Sequence, residues 1–369
     1  MTSRSLNIID FGIACFLGTS KEDVWRNLLL NGPMTDCEHH DINHISSIAL
    51  EPLVPAIEKA ISKFGKKRVA VFCGTCYKGS NDTVEALRVY KETGKFPGNY
   101  AFESLQTDYP AQFIAKKFGL EGMVLCHSTA CASSISAIMS AKKFLEAGLC
   151  DVAIVGGTDI VSDTVRLGFT ALEAVSPGIC NPFSANRSGI KLGEGAAFFL
   201  IANRDDFPFE YKITGLGESA DAEHMTAPSE SGEGAKTAMK LALASAGLMP
   251  EDIDYLNLHG TGTMLNDAME SKAVSSIFPE ALPVSSTKPL TGHTLGAAGA
   301  VELAFCCLAL SQKDAGNFLP PHLWDGVFDP SLPRLNFVPK GGTCNRLKHC
   351  MSNSFAFGGY NACVIVEGA

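Results

Sequence analysis

Short apolar runs alternate along the chain with stretches in which apolar residues recur every three or four positions. The short runs predict strands at Leu6–Phe11, Val69–Cys73, Met123–Cys126, Val152–Gly156 and Ala196–Ile201. A second set is predicted at Tyr211–Leu216, Ile253–Leu258, Val284–Ser286, Cys350–Ser354 and Cys363–Val366. Helical periodicity predicts helices at Lys21–Leu30, Leu53–Phe64, Ala111–Phe118, Ala132–Ala147, Gly234–Ala246, Met264–Ile277 and Ala297–Leu310. Ser20 followed by Lys21-Glu22-Asp23 reads as an N-cap with acids in the first turn. Ile135, Ile138, Met139 and Leu145 share one helical face, and Gly148 stops that helix. Strands alternating with helices predict an α/β fold. The texture breaks at Asn203–Phe209, which predicts two units, 1–204 and 205–369. Each ends in a strand pair and holds long helices, which leaves room for a weak duplication that one sequence does not prove.

Composition narrows the function classes. The 369 residues are 46% hydrophobic and 19% charged, which excludes wholesale disorder. Lys and Arg number 30 against 39 Asp and Glu, giving −9, a poor balance for non-specific nucleic-acid binding. The longest late apolar run, Leu303–Leu310, has eight residues. A membrane span needs about 20, so none is expected. Asp10 interrupts the first apolar run too early for a signal peptide, and the expected location is the cytoplasm. The 13 cysteines are scattered and often lie inside apolar runs, which suggests reduced, buried thiols rather than zinc or disulfide sites. His39-His40 and His44 lack ligand-type neighbours, so surface is expected and not metal. Neither Gly156-Gly157 nor Gly358-Gly359 fits a phosphate-loop or dinucleotide signature.

Four segments carry residue types suited to chemistry. Ser128-Thr129-Ala130-Cys131 lies between a strand and a helix, where the positive end of the helix dipole favours a thiolate. His259-Gly260-Thr261-Gly262-Thr263 follows a strand, with glycines that let a ligand approach the backbone. Lys288-Pro289-Leu290-Thr291-Gly292-His293 precedes a helix that starts with small residues. A buried Lys288 needs a carboxylate, and Glu302 or Glu270 could supply it. Phe355-Ala356-Phe357-Gly358-Gly359 sits between the last two strands, where a turn's N–H groups can form half an oxyanion hole. Taken singly, each has a plain structural reading: a core thiol, a strand-end histidine, an exposed lysine, a tight turn.

In this order, the four segments resemble the β-ketoacyl-[acyl carrier protein] synthases, particularly the synthase II-like condensing enzymes of the thiolase superfamily. The likeness runs from about Met123 to the C-terminus. It includes Gly156-Gly157-Thr158-Asp159, Gly168-Phe169, Asn181-Pro182-Phe183, Gly193-Glu194-Gly195-Ala196-Ala197 and Asp221-Ala222-Glu223-His224-Met225. The resemblance implies a thiolase fold, five-layered αβαβα, built from two similar halves, and a dimer. It implies a catalytic set of Cys131, His259, His293 and Lys288, with Glu270 and Glu302 in support. Cys131 would take an acyl group, and the histidines would hold a malonyl thioester during decarboxylation. Phe357 would complete the oxyanion hole and gate the acyl pocket, and Thr261 and Thr263 would hold the pantetheine arm. No metal and no permanently bound cofactor is implied; the phosphopantetheine arm arrives on an acyl carrier protein. That acidic partner suggests basic residues near the mouth, with Lys63–Arg68 and Lys116-Lys117 as candidates.

The chain departs from the pattern at Ala356 and Ser134, where glycine is usual, and at Ser188 and Asn181, which replace a usual Asp and Arg. Ala356 suggests a stiffer gate. The first 120 residues match loosely. The short length tilts the reading toward a specialised type II polyketide system, such as one making aryl-polyene-like pigments, with fatty-acid elongation beside it. In such systems the ketosynthase often pairs with a chain-length-factor subunit of the same fold. The alternative is that this chain is that non-catalytic partner, although such partners typically lack the cysteine. A thiolase reading is disfavoured because the C-terminal glycine loop has no cysteine. A chain-initiating synthase is disfavoured because His293 stands where an Asn is usual.

Overall fold

Ten predicted strands form, most of them extended by a residue or more at one end. In the computed structural model, which describes residues 5–32, 41–77, 80–312 and 316–369, eleven strands make one continuous sheet system. They are β1 (Leu6–Cys15), β2 (Val69–Gly74), β3 (Val124–His127), β4 (Val152–Asp159), β5 (Gly195–Ala202) and β6 (Tyr211–Ala220), followed by β7 (Tyr255–Asn257), β8 (Pro283–Ser285), β9 (Asn336–Phe337), β10 (His349–Phe355) and β11 (Tyr360–Gly368). His39 and His40 lie outside the described residues.

The spatial order is β3-β2-β4-β5-β1-β6-β11-β10-β7-β8-β9. In the first half β3, β2 and β4 are parallel, β5 runs antiparallel to β4, and β1, antiparallel to β5, runs with β4 again. The second half repeats this order as β8-β7-β10-β11-β6, with the short β9 added outside β8. The halves meet where β1 pairs with β6, Leu6 opposite Ile213 and Ile8 opposite Tyr211. A repeated five-strand order of this complexity is the topological form of a duplication.

Three apolar clusters separate the layers. The central one lies around the helices Ser133–Glu146 and Ala298–Leu310, which stand between the two sheets. Every residue of Ala298–Leu310 is buried, as a helix that is apolar all round must be. The second cluster packs helices Ile42–Leu50, Val54–Phe64 and Tyr109–Phe118 on the outer face of the first half. The third packs Glu233–Ala246 and Met264–Ser275 on the outer face of the second. The result is the five-layered αβαβα thiolase fold. β4 and β5 are buried along their whole length, because helices cover both faces of their sheet.

Among the described residues four helices escape the periodicity reading: Ile42–Leu50, Ser80–Thr93, Asp163–Ala171 and the single turn Lys288–Thr291. The first carries Asn43, His44, Ser46 and Ser47 among its apolar residues, and Asp41 caps it through the N–H of Asn43. The third exposes Leu167 and contains Gly168, so its apolar stripe is broken. Among the described residues no helix is long and apolar enough to cross a membrane.

Candidate active site

The site forms where three strand ends deliver their loops to one place. β3 runs into a single 3-10 turn, Ala130–Ala132, before the central helix Ser133–Glu146. Ala130 takes φ 47, a left-handed conformation unusual for a residue with a side chain, and this sharp turn presents Cys131. β8 leads through Lys288–Thr291 to His293 and then into the central helix Ala298–Leu310. β7 leads to His259 and the Gly260–Thr263 loop. Gly260 has φ 38, and a side-chain carbon there would lie 2.5 Å from Ser286 Cβ.

The sequence-predicted catalytic residues come together. The His293 Nε2 to Cys131 Sγ distance is 2.9 Å. The His259 and His293 rings stand nearly perpendicular, with centroids 5.4 Å apart. The donor atoms of Cys131, His259 and His293 all lie within 4.8 Å of one another. The backbone N–H groups of Phe357 and Cys131 lie near the thiol and favour its ionised form. In geometry alone, a thiol with two imidazoles is also a metal-ligand set. A pair of amides beside a thiol also suits acyl transfer, where an oxyanion forms next to the nucleophile.

Burial sets the electrostatics. The Cys131 thiol is pushed up to about 11, mainly by desolvation, with Lys288 and the two amides only partly offsetting it. Desolvation thus works against the thiolate that the end of the following helix favours. Burial, with the positive charge of Lys288, holds both imidazoles neutral by lowering their pKa well below the ordinary histidine value. A neutral imidazole beside a neutral thiol can take the proton when the thiol attacks.

Lys288 is 1% exposed and bonds Glu302 at 2.5 Å. Burial raises Glu302 to about 7, and Lys288 opposes that rise. Glu270 does not share the lysine. Its two oxygens accept the N–H groups of His259 at 2.8 Å and Gly260 at 2.7 Å, and Asn353 adds a bond at 3.2 Å. Its role is to brace the His259 loop. Among the described residues, the Nδ1 atoms of His259 and His293 and Glu302 Oε2 are buried without a hydrogen-bond partner.

Two cavities meet at the sulfur. One of ≈ 330 Å³ is lined by His259, His293, Thr261, Thr263, Met264 and Leu265 among others. The other, of ≈ 390 Å³, is lined by Cys76, Tyr77, Val165 and Leu295 among others. Cys131, Phe169, Leu172 and Phe357 line both. Phe357 stacks on Phe169 with centroids 5.8 Å apart and is 36% exposed. Thr261 Oγ1 and Thr263 Oγ1 bond each other at 2.9 Å.

Other sequence readings fare differently. Ser134 lies in the tight space beside Gly157, and its hydroxyl also accepts the N–H of Ala300 at 2.9 Å, tying the two central helices together. Ala356 is not among the residues with positive φ, so the alanine carries no backbone strain. Ser188 lines the first cavity and bonds Ser176 at 2.9 Å. His224 is exposed and accepts the N–H groups of Thr226 and Ala227. The basic clusters sit away from the thiol: Lys66–Arg68 lead into β2 and Lys116-Lys117 end the helix Tyr109–Phe118 before β3, whereas Cys131 follows the far end of β3. Lys63 and Arg68 are paired with Asp206 and Asp151.

Sequence reading passed over several groups. Cys73 and Cys76 stand at a C-x-x-C spacing, yet among the described residues the one cluster able to hold a metal is Cys131, His259 and His293. Asp267 accepts the N–H of Phe183 at 2.7 Å, and His322 bonds Ser286 N and Pro182 O. Only their place beside glycine- and proline-rich motifs hinted at such scaffolding.

This fold and this thiol–imidazole centre define a thiolase-fold condensing enzyme architecture. The chain belongs to the β-ketoacyl synthase family: its N-terminal domain matches residues 32–206 and its C-terminal domain residues 211–323. Nodulation protein E of Rhizobium meliloti is 31% identical, covering 97% of this chain and 98% of the relative. The 3-oxoacyl-[acyl-carrier-protein] synthase 2 of Staphylococcus aureus is 38% identical over 65% of this chain and 62% of its own length. A chain from the complex of the ketosynthase ApeO with its chain length factor ApeC, from Xenorhabdus doucetiae, superposes with TM-score 0.92 at 36% identity, covering 99% of this chain and 98% of that one.

Proposed function

We propose that this chain is a β-ketoacyl-[acyl carrier protein] synthase that elongates an acyl chain by decarboxylative Claisen condensation. The observation that carries the reading is Cys131, bonded to His293 and faced by two backbone N–H groups, with a second neutral imidazole alongside. Cys131 attacks the acyl thioester as its proton passes to His293, and the pantetheine thiol leaves with a proton. The malonyl thioester then enters through the cavity that Thr261 and Thr263 line. Carbon dioxide leaves, and the enolate oxygen takes hydrogen bonds from His259 and from His293, whose ring proton has moved to Nε2 after the acyl transfer. Each such bond supplies about 3 kcal/mol. The enolate carbon attacks the acyl-Cys131 carbonyl, the amides of Cys131 and Phe357 hold the oxyanion, and collapse expels the thiolate. Lys288 and Glu302 keep the field fixed, and Glu270 fixes the His259 loop.

The acyl chain on Cys131 extends into the second cavity, behind Phe357. The partners proposed are an acyl carrier protein and a second chain of the same fold, either a copy or a chain-length-factor subunit. Half-exposed β3 at the sheet edge suits pairing with such a chain. The pathway proposed is fatty-acid or type II polyketide synthesis. The alternative role, a non-catalytic partner subunit, conflicts with a complete set of reacting groups.

The test is intact mass after incubation with acyl- and malonyl-acyl carrier protein, with Cys131→Ala as control. Acylation that requires Cys131, followed by a carrier-bound product two carbons longer, is expected. Absence of Cys131-dependent acylation with the co-expressed partner present would remove the catalytic reading.

A further inference from the structure

Two loops related by the duplication are held in the same way. After β7, the two oxygens of Glu270 accept the successive N–H groups of His259 and Gly260. After β2, the matching strand of the first half, the two oxygens of Asp159 accept the successive N–H groups of Cys76 at 2.8 Å and Tyr77 at 2.9 Å. Asp159 also accepts the Thr75 hydroxyl at 2.8 Å and the N–H of Gly296 at 2.6 Å. This carboxylate is fully buried at the end of β4, with four donors. Cys76, Tyr77 and Leu295 line the cavity of ≈ 390 Å³ beside Cys131. Leu295 has φ 51, a strained conformation anchored by the bond to the next residue's N–H.

We propose that Asp159 is a positioning residue that fixes the walls of the acyl-holding cavity and so sets which acyl groups Cys131 accepts. The proposal rests on the cavity assignment above, yet its test needs no carrier protein and no condensation. A carboxylate suits the task because it accepts on both oxygens. In Asp159→Asn, one position becomes a donor. The arrangement that keeps most bonds leaves the oxygen toward Cys76 and Gly296, turns the amide toward the Thr75 hydroxyl, and abandons Tyr77. The change therefore falls on one wall.

The experiment labels Cys131 with haloacetamides bearing alkyl tails of increasing length, with iodoacetamide as the tail-less reference. The sulfur displaces halide, its proton leaves to solvent, and intact mass gives each rate. In Asp159→Asn the ratio of long-tailed to tail-less labelling falls about tenfold, the equivalent of one lost charge-assisted bond, while the iodoacetamide rate changes little. Thr75→Val, which removes one donor, shifts the ratio in the same direction by less, and Thr75→Ser, which keeps the hydroxyl, restores it. An unchanged ratio in folded Asp159→Asn overturns the proposal, as does an equal fall in both rates. If Asp159→Asn does not fold, an unchanged ratio in Thr75→Val overturns it. Failure of carrier-protein acylation in the wild type would sink the functional reading and leave this result standing.

Discussion

The two halves of the molecule build the same junctions and load them differently. Where β3 meets its central helix the first half carries Cys131, and where β8 meets the other central helix the second half carries His293. After β7 the second half carries His259; after β2 the first half carries Thr75–Tyr77, of which Cys76 and Tyr77 line a cavity and none is a histidine or a carboxylate. In the proposed reaction the first half offers the nucleophile and most of the cavity beside it, with Leu295 and Phe357 added from the second half, which also offers two neutral hydrogen-bond donors. A duplicated scaffold gives each function its own loop, so either can change without moving the other.

The sharpest way to break this comparison is Cys131→Ala, which should abolish acyl-enzyme formation in intact mass, with no other thiol substituting. Next, His259→Ala should lower malonyl thioester decarboxylation by about 10²–10³, the loss of one oxyanion donor, while acylation of Cys131 survives. Glu302→Ala leaves Lys288 buried and unpaired, and should cost about 3–5 kcal/mol in denaturant unfolding; a cost below 1 kcal/mol would show that the pair behaves as if solvated. A gentler probe is pH. The thiol lies at about 11, so its thiolate fraction, and with it iodoacetamide labelling of Cys131, should rise about tenfold per pH unit from pH 7 to 10. A plateau from pH 7 upward would reveal a preformed thiolate instead. The smallest effect belongs to Ala356→Gly, expected to lower stability by about 0.5–1 kcal/mol through added backbone freedom.

Much of this site is legible because its chemistry sits at strand ends. Apolar runs such as Val152–Gly156 and Ala196–Ile201 mark strands buried on both faces, and the residues after β3, β7 and β8 fall where loops gather. Periodicity does not reveal Ser80–Thr93 or Asp163–Ala171, whose exposed residues blur the stripe. The scaffolding acids were also hidden. Asp159, Asp267 and Glu270 are fully buried and hold backbone N–H groups, and nothing in composition separates them from surface acids. Charge leaves Glu302 and Glu270 equal as partners for Lys288; the fold gives the lysine to Glu302, and the β7 loop uses Glu270 as an acceptor for two amides. The thiol shows a related limit: its place at a helix end is visible in sequence, and the depth of burial that opposes ionisation is not.

The central claim is that enolate chemistry belongs to the histidine half and acyl storage to the cysteine half. Carbon dioxide release from malonyl-acyl carrier protein, measured with Cys131→Ala beside His259→Ala, tests it most directly. The account predicts release that persists without the thiol and collapses without His259. Release that stops in Cys131→Ala, or continues undiminished in His259→Ala, would contradict it.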